Sequence, residues 1–229
     1  MKPQISLLLG LIVLAGCSQP EQQTSPATDP FPLKTYVETE DEAFRYEIKE
    51  TINGEAWTEY RVYLVSGTWL STQEVDEPEW WHWLTMVVPH EQKESESLMH
   101  IDGGWRGDTI PIAAPEDMIR AALETGSVIA HLSNIPFQPI DFTGDTLGGV
   151  FEDDLIAFAW LKFLEGGAGE DLQQWLPRFP MTRAVVRAMD VVQEICASGH
   201  QPVDGFFVTG ASKRGWTTWN VAAVDERVI

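Results

Sequence analysis

The stretch VDGFFVTGASKRGWTTW, residues 203–219, decides how the rest of this chain is interpreted. An apolar run, FFVTG, is followed by small residues, a serine at position 212, and a segment of helical composition. A strand, then Gly-x-Ser-x-x-Gly, then a helix is the local order of a nucleophile elbow, a tight turn that exposes the serine hydroxyl. The usual motif has its second glycine where Arg214 stands, so the motif alone leaves the role of Ser212 open.

The segments around this stretch alternate between strand and helix patterns. Apolar or alternating runs predict strands at residues 59–70, 80–89, 97–104, 127–133 and 206–210. Helical periodicity and punctuation predict helices at 115–126, 152–167, 181–199 and 213–224, the second of them apolar nearly all round and therefore largely buried. This alternation predicts an α/β fold with a mostly parallel sheet flanked by helices.

The helix at 181–199 has two distinct faces. The buried face is predicted to hold Val185, Ala188, Met189, Val192, Ile195 and Cys196, and the exposed face Arg183, Arg187, Asp190 and Glu194. On this pattern Cys196 is a small core residue and not a reactive thiol. The ten tryptophans favour a large aromatic core over a sugar-facing cleft.

A second glycine turn supports a hydrolytic site. HIDGGW, residues 100–105, follows the third predicted strand, where α/β-hydrolases place half of their oxyanion hole. Backbone amides at Gly104 and Trp105, together with that of Lys213, are the candidate donors to a carbonyl oxygen. The alternative is an ordinary glycine turn.

Long segments of the chain resemble one family. FFVTGASKRGWTTWNVAAVDERV resembles the core signature of the PhoPQ-activated pathogenicity-related protein family, and SGTWLSTQEVDEPEWWHWLTMVVP, NIPFQP, EDDLIAFAWLKFLE and WLPRFPMTRAVVRAMD match in order. The resemblance covers about residues 35–229 and implies an α/β-hydrolase-like fold with Ser212 as nucleophile. It leaves Arg214 either as an ion-pair brace of the elbow or as a ligand for an acidic substrate group, and places Gln138 near the cleft.

The histidine that should activate Ser212 is not found after it. Histidines occur at positions 82, 90, 100, 131 and 200, whereas the order in α/β-hydrolases is serine, acid, histidine. His200 precedes the strand that leads to the elbow, so it belongs at the opposite end of that strand. We therefore expect a domain truncated after the elbow helix, inactive by itself, from a longer serine hydrolase with an unidentified small-molecule or peptide substrate. The alternative is a non-catalytic binding or signalling protein that keeps the hydrolase fold.

The N-terminus predicts a lipid anchor. Residues 1–16 resemble a lipoprotein signal peptide that ends at LAGC, so Cys17 is the expected lipidation site and membrane attachment point. Residues 17–34 are rich in Pro, Ser and Gln, as in a flexible tether, and residues 35–229 form the domain. These features predict a cell-envelope lipoprotein, with the outer membrane favoured because Ser18 follows the cysteine.

Charge and composition narrow the partners. A net charge of −20 disfavours binding to nucleic acid and to anionic lipid headgroups. The histidines have no His-x-x-x-His spacing and Cys17 and Cys196 do not form a Cys pair, so the sequence predicts no metal site and no cofactor.

Overall fold

A computed structural model describes residues 31–144, 146 and 148–229. In chain order the elements are α1 (Pro32–Glu38), β1 (Arg45–Asn53), β2 (Trp57–Thr68), β3 (Glu79–Pro89), β4 (Glu96–Ile101), α2 (Glu116–Thr125), β5 (Ile129–Leu132), α3 (Glu152–Glu165), α4 (Arg178–Ser198), β6 (Gly205–Gly210) and α5 (Lys213–Val224), with a 3-10 turn at Glu170–Trp175 before α4. The predicted signal peptide, Cys17 and most of the predicted tether lie outside the described residues. Residues 32–34, assigned to that tether, form the first turn of α1.

The six strands form one sheet in the order β1-β2-β3-β5-β4-β6. The prediction of a mostly parallel sheet was wrong, because the β1–β2, β2–β3 and β3–β5 pairs are antiparallel and only β4 pairs in parallel, with β5 and β6. The first three strands follow one another without an intervening helix, and such short connections join antiparallel neighbours. The sheet is therefore mixed.

The first strand was not predicted from the sequence. β1 is an edge strand in which seven of nine residues are exposed and two, Tyr46 and Ile52, are half-buried. Its sequence, RYEIKETIN, carries charges at four of nine positions and gives a weak apolar signal. Polar edge strands of this kind are hard to tell from loops in a single sequence.

The main core lies between the sheet and α4. The predicted apolar face of α4 is confirmed, since Val185, Ala188, Met189, Val192, Ile195 and Cys196 are all buried. Burial raises the pKa of the Cys196 thiol to about 12, which agrees with an inert core residue. On the predicted exposed face, Arg183 was misplaced, because it is 5% exposed and forms a 3.1 Å ion pair with Asp41.

Some tryptophans lie in the core and others on the surface. Trp69, Trp80 and Trp83 are buried, as predicted, whereas Trp105, Trp216 and Trp219 are more than half exposed.

The prediction that α3 is largely buried was wrong. Only Leu155 and Ala159 of this helix are buried, while Leu161 and Leu164 are about half exposed. None of the described helices has the length and apolar character needed to cross a membrane.

Candidate active site at the carboxyl edge of the sheet

The candidate site forms where β4 and β6 end side by side. These strands pair in parallel with Ile101 opposite Gly210, so the residues that follow each strand emerge at the same edge of the sheet. After β6 comes the elbow, residues 210–215, and after β4 comes the glycine turn, residues 102–105. Parallel pairing thus places the predicted nucleophile next to the predicted oxyanion turn.

Ser212 has the backbone conformation expected of an elbow. It lies at φ 54° and ψ −120°, directly before the first residue of α5, and its side chain is exposed. A positive φ is uncommon for a residue with a side chain and is typical of strained functional turns. The hydroxyl makes no capping hydrogen bond to α5. It is therefore accessible to a ligand at this edge.

Two glycines make the elbow possible. A Cβ on Gly210 would lie 2.8 Å from the Cβ of Arg214, and a Cβ on Gly215 would lie 2.9 Å from the carbonyl oxygen of Gly210. Both separations are shorter than van der Waals contact, so a side chain at either position would push α5 away from β6. This explains why the second glycine stands at 215 and not at 214.

Arg214 braces the elbow. Its guanidinium forms a two-pronged ion pair with Glu152, at the start of α3, and its Nε donates to the carbonyl of Ile135 at 2.6 Å. Lys213 adds a second cation at 2.6 Å from Glu152 Oε2 and also pairs with Asp153. Of the two roles left open for Arg214, the geometry provides the ion-pair brace.

Glu152 is the centre of this charged network. Partial burial acts to raise its pKa, but hydrogen bonds from Arg214, Lys213 and Gln138 outweigh burial and lower the pKa to about 2. Glu152 itself lies at a φ of 50°, with its amide donating to the Gln138 side chain at 2.9 Å. The carboxylate is ionised at neutral pH and holds three chain segments together.

Gln138 links the elbow to the glycine turn. It is 3% exposed, and its Nε2 donates to the carbonyl of Gly104 and to Glu152, both at 2.8 Å. A Cβ on Gly104 would lie 2.7 Å from the backbone nitrogen of Asn134, so the turn packs tightly against the loop that carries Gln138. Gln138 supports the turn from behind the candidate cleft.

The three predicted oxyanion donors differ in their surroundings. The Trp105 amide donates to Asp108 Oδ2 at 2.8 Å, so it already has an acceptor. The Lys213 amide begins α5 and belongs to the first helical turn, where N–H groups have no acceptor within the helix. Gly104 follows Gly103, whose own amide donates to the Asp102 carboxylate at 2.7 Å. Gly104 and Lys213 thus have the more available amides.

Three of the histidines, His82, His90 and His200, lie elsewhere in the fold than the elbow. His82 is fully buried between Ser66 and the carbonyl of Asn134, and burial lowers its pKa to about 4. His200 precedes β6, at the end opposite the elbow, and His90 is exposed beyond the end of β3. Within the described part of the chain, no hydrogen bond joins any histidine to Ser212.

One cluster of polar side chains was not predicted from the sequence. His100, Asp102 and His131 place their ligand atoms within 4.8 Å of one another. The two histidines are 31 positions apart but opposite each other in the parallel register of β4 and β5. No motif in a single sequence carries this pairing, because it depends on which strands become neighbours.

Comparison with known proteins agrees with this architecture. The chain is 39% identical over 202 residues to autocrine proliferation repressor protein A of Dictyostelium discoideum, covering 86% of this chain and 39% of that protein. The chain thus spans less than half of the length of this relative.

A solved esterase structure with the α/β-hydrolase fold shares the architecture. An acetyl xylan esterase from Paenibacillus sp. R4 superposes with a TM-score of 0.53 at 14% identity, covering 86% of this chain and 54% of the esterase. A glucuronoyl esterase from Solibacter usitatus gives a TM-score of 0.49 at 17% identity, covering 83% of this chain and 51% of the esterase. The sequence profile of one family matches residues 33–229, and the chain belongs to that family, the PhoPQ-activated pathogenicity-related proteins.

Proposed function

We propose that this chain carries the nucleophile half of a serine hydrolase that cleaves esters or amides. The observation that carries the proposal is Ser212, exposed at a positive φ between β6 and α5 and next to the glycine turn after β4. An elbow of this shape costs backbone strain, and such strain persists at sites where it serves a function. The esterase neighbours support the fold only.

The proposed reaction begins with attack of Ser212 Oγ on the substrate carbonyl carbon. The hydroxyl proton passes to a general base, and the carbonyl oxygen becomes an oxyanion that accepts hydrogen bonds from the Gly104 and Lys213 amides. The positive end of the α5 dipole stabilises the same charge. The general base then donates its proton to the leaving oxygen or nitrogen, the C–O or C–N bond breaks and the neutral alcohol or amine leaves, and water hydrolyses the acyl-serine.

The base and the acid that orients it are proposed to come from outside these 229 residues. All five histidines precede Ser212, and the described contacts bring none of them to its hydroxyl. The chain also spans only 39% of the related repressor protein and 54% of the acetyl xylan esterase. Residues 1–229 by themselves are accordingly expected to hydrolyse no ester.

We propose further that the protein is a lipoprotein of the cell envelope, anchored through Cys17. The proposal rests on the LAGC sequence at the end of the N-terminal apolar run. Incorporation of a lipid label into the chain, and its dependence on Cys17, tests the anchor separately from catalysis.

The catalytic proposal is tested by reaction with a fluorophosphonate probe, which labels activated serines. The protein at its full encoded length is compared with Ser212→Ala and with Ser127→Ala, a control at a half-buried serine away from the elbow. We expect the control to be labelled like the wild type and Ser212→Ala to lose labelling.

Equal labelling of all three proteins would contradict the role of Ser212. If the full-length wild type is not labelled at all, the site is not a serine hydrolase site. The alternative, a binding or signalling protein on a hydrolase fold, would then be favoured.

A further inference from the structure

We propose that His100, Asp102 and His131 bind one zinc ion. His100 lies on β4, Asp102 directly follows that strand, and His131 lies on β5. The imidazole rings are stacked at 5.5 Å with an interplanar angle of 19°, and one ligand atom from each of the three residues falls within 4.8 Å of the others. The inference stands apart from the proposed hydrolase function, because it uses neither Ser212 nor the oxyanion donors.

The separations suit a tetrahedral ion. Zinc binds imidazole nitrogen and carboxylate oxygen at about 2.0–2.2 Å, so two ligands at a tetrahedral angle lie roughly 3.3–3.6 Å apart. His131 Nε2 and Asp102 Oδ2 are 3.4 Å apart. This pair therefore already has the spacing of two ligands on one zinc ion, and the ligand atom of His100 lies within 4.8 Å of both.

The carboxylate is oriented by its own turn. Asp102 Oδ1 accepts the Gly103 amide at 2.7 Å, which leaves Oδ2 to face His131. The Asp102 backbone is fixed on both sides, since its amide donates to Leu132 at 2.8 Å and its carbonyl accepts from Ile135 at 3.1 Å. Hydrogen bonds of this kind fix a ligand before the ion binds.

The donor set indicates the class of ion. Two imidazoles and one carboxylate, without a thiolate, match first-row transition metals, whereas magnesium and calcium prefer oxygen ligands alone. An imidazole must be neutral to bind a metal, so the Asp102 carboxylate supplies the one negative charge of the set, which compensates part of the charge of a divalent cation. Zinc accepts this set in tetrahedral sites.

Three protein ligands leave a fourth position for water or another small ligand. His131 lines a cleft of about 390 Å³ whose wall also includes Trp83, Asp108 and Ser133. Asp108 is the residue that accepts the Trp105 amide, so this cleft extends to the glycine turn. The cleft thus borders one of the three proposed ligands, His131.

The test is a calorimetric titration of the metal-stripped full chain with Zn²⁺. We expect one zinc ion per chain, with affinity reduced at least about 10-fold in Asp102→Asn and in His131→Gln. The control is His200→Asn, which removes an exposed histidine at the opposite edge of the sheet and keeps a side chain that tolerates its positive φ of 60°. This control should bind zinc like the wild type.

Cobalt supplies a second readout. Co²⁺ in place of zinc should give the visible absorption of a four-coordinate ion, and the same two variants should lose it. If His131→Gln fails to fold, Asp102→Asn decides, because the Asp102 side chain is 62% exposed and its change least disturbs packing. A wild type that binds no zinc, or a folded Asp102→Asn that binds as tightly as the wild type, would overturn the proposal.

Discussion

The elbow and the glycine turn lie at the ends of neighbouring strands, but they are held in place by different parts of the chain. The elbow is shaped mainly by its own residues, because Gly210 and Gly215 permit the close approach of β6 and α5. The glycine turn is held by residues distant in sequence. Asn134 donates to the Gly103 carbonyl at 2.8 Å, and the His82 ring stands behind Asn134, 3.1 Å from its carbonyl oxygen.

The two turns should therefore be sensitive to changes at different positions. Changes near Ser212 should act on the elbow directly, whereas the glycine turn should respond to substitutions and protonation events many positions away. Arg214, Glu152 and Gln138 join the two turns, so a change in this network should affect both.

The largest effect is expected from His82, behind the glycine turn. Its ring is neutral in the folded protein, with a pKa of about 4, and takes up a proton readily only when the chain unfolds. Its contribution to stability is thus complete above pH 6.5 and is lost as the pH falls towards 4, by up to about 3 kcal/mol. Urea unfolding from pH 7.5 to pH 4 should show a weaker pH dependence for His82→Gln than for the wild type.

The control for this experiment is His90→Gln, which removes an exposed histidine beyond the end of β3. It should keep the wild-type pH dependence. If the free energy of unfolding depends on pH in the same way in His82→Gln and in the wild type, protonation of His82 does not destabilise the fold that holds the glycine turn.

A smaller effect is expected from crowding the glycine turn itself. In Gly104→Ala the new methyl group would lie 2.7 Å from the Asn134 backbone, so we expect a loss of about 2 kcal/mol in the free energy of unfolding. The matched control is Gly107→Ala, where the three atoms nearest to the new methyl group all belong to the exposed ring of Trp105, which can move aside. The control should cost less than about 0.5 kcal/mol, and equal losses would mean that Asn134 does not confine the turn.

The smallest effect is expected from the network that joins the two turns. Glu152→Gln should cost about 1 kcal/mol at pH 7, since it removes the charge from partly exposed ion pairs with Arg214 and Lys213. The pKa of Glu152 is lowered to about 2, so the wild type loses this contribution to stability as the pH falls from about 4.5 to 2. The free energies of unfolding of the two proteins, measured by urea unfolding, should therefore converge at low pH.

Glu79→Gln is the comparison for this prediction. Its ion pair with Arg45 is exposed, at 48% and 56% of the two side chains, and should contribute less than about 0.5 kcal/mol. If both substitutions cost the same at pH 7, the network is an ordinary surface ion pair and does not brace the site.

Strong local patterns predicted much of this molecule. The core face of α4, the end of β3 at Pro89 and the left-handed Gly126 after α2 all agree with expectation. Errors arose where burial depends on neighbours. Arg183 is a charged residue at a position predicted to be exposed, but it forms an ion pair with Asp41 and donates to the carbonyl of Thr68, the last residue of β2. Asp41 in turn accepts the Thr68 amide.

In the candidate site, too, only the residues with a local sequence pattern could be predicted. Ser212 and Gly104 are marked by glycine patterns, and the strand order then brings them to one edge. The roles of Glu152, Gln138 and His82 have no local signal, because each acts through a contact with a distant segment. The same holds for the pairing of His100 with His131.

Local patterns predicted four of the helices, five of the strands, the elbow around Ser212 and the family resemblance, because periodicity and glycine placement act over a few neighbouring residues. The mixed sheet, the link that Glu152 makes between the elbow and the glycine turn, and the meeting of two histidines with Asp102 arise only in the folded chain. All three depend on strand order. Which strands become neighbours depends on the packing of the whole sheet against α4, and side chains from different strands meet only after that packing is complete.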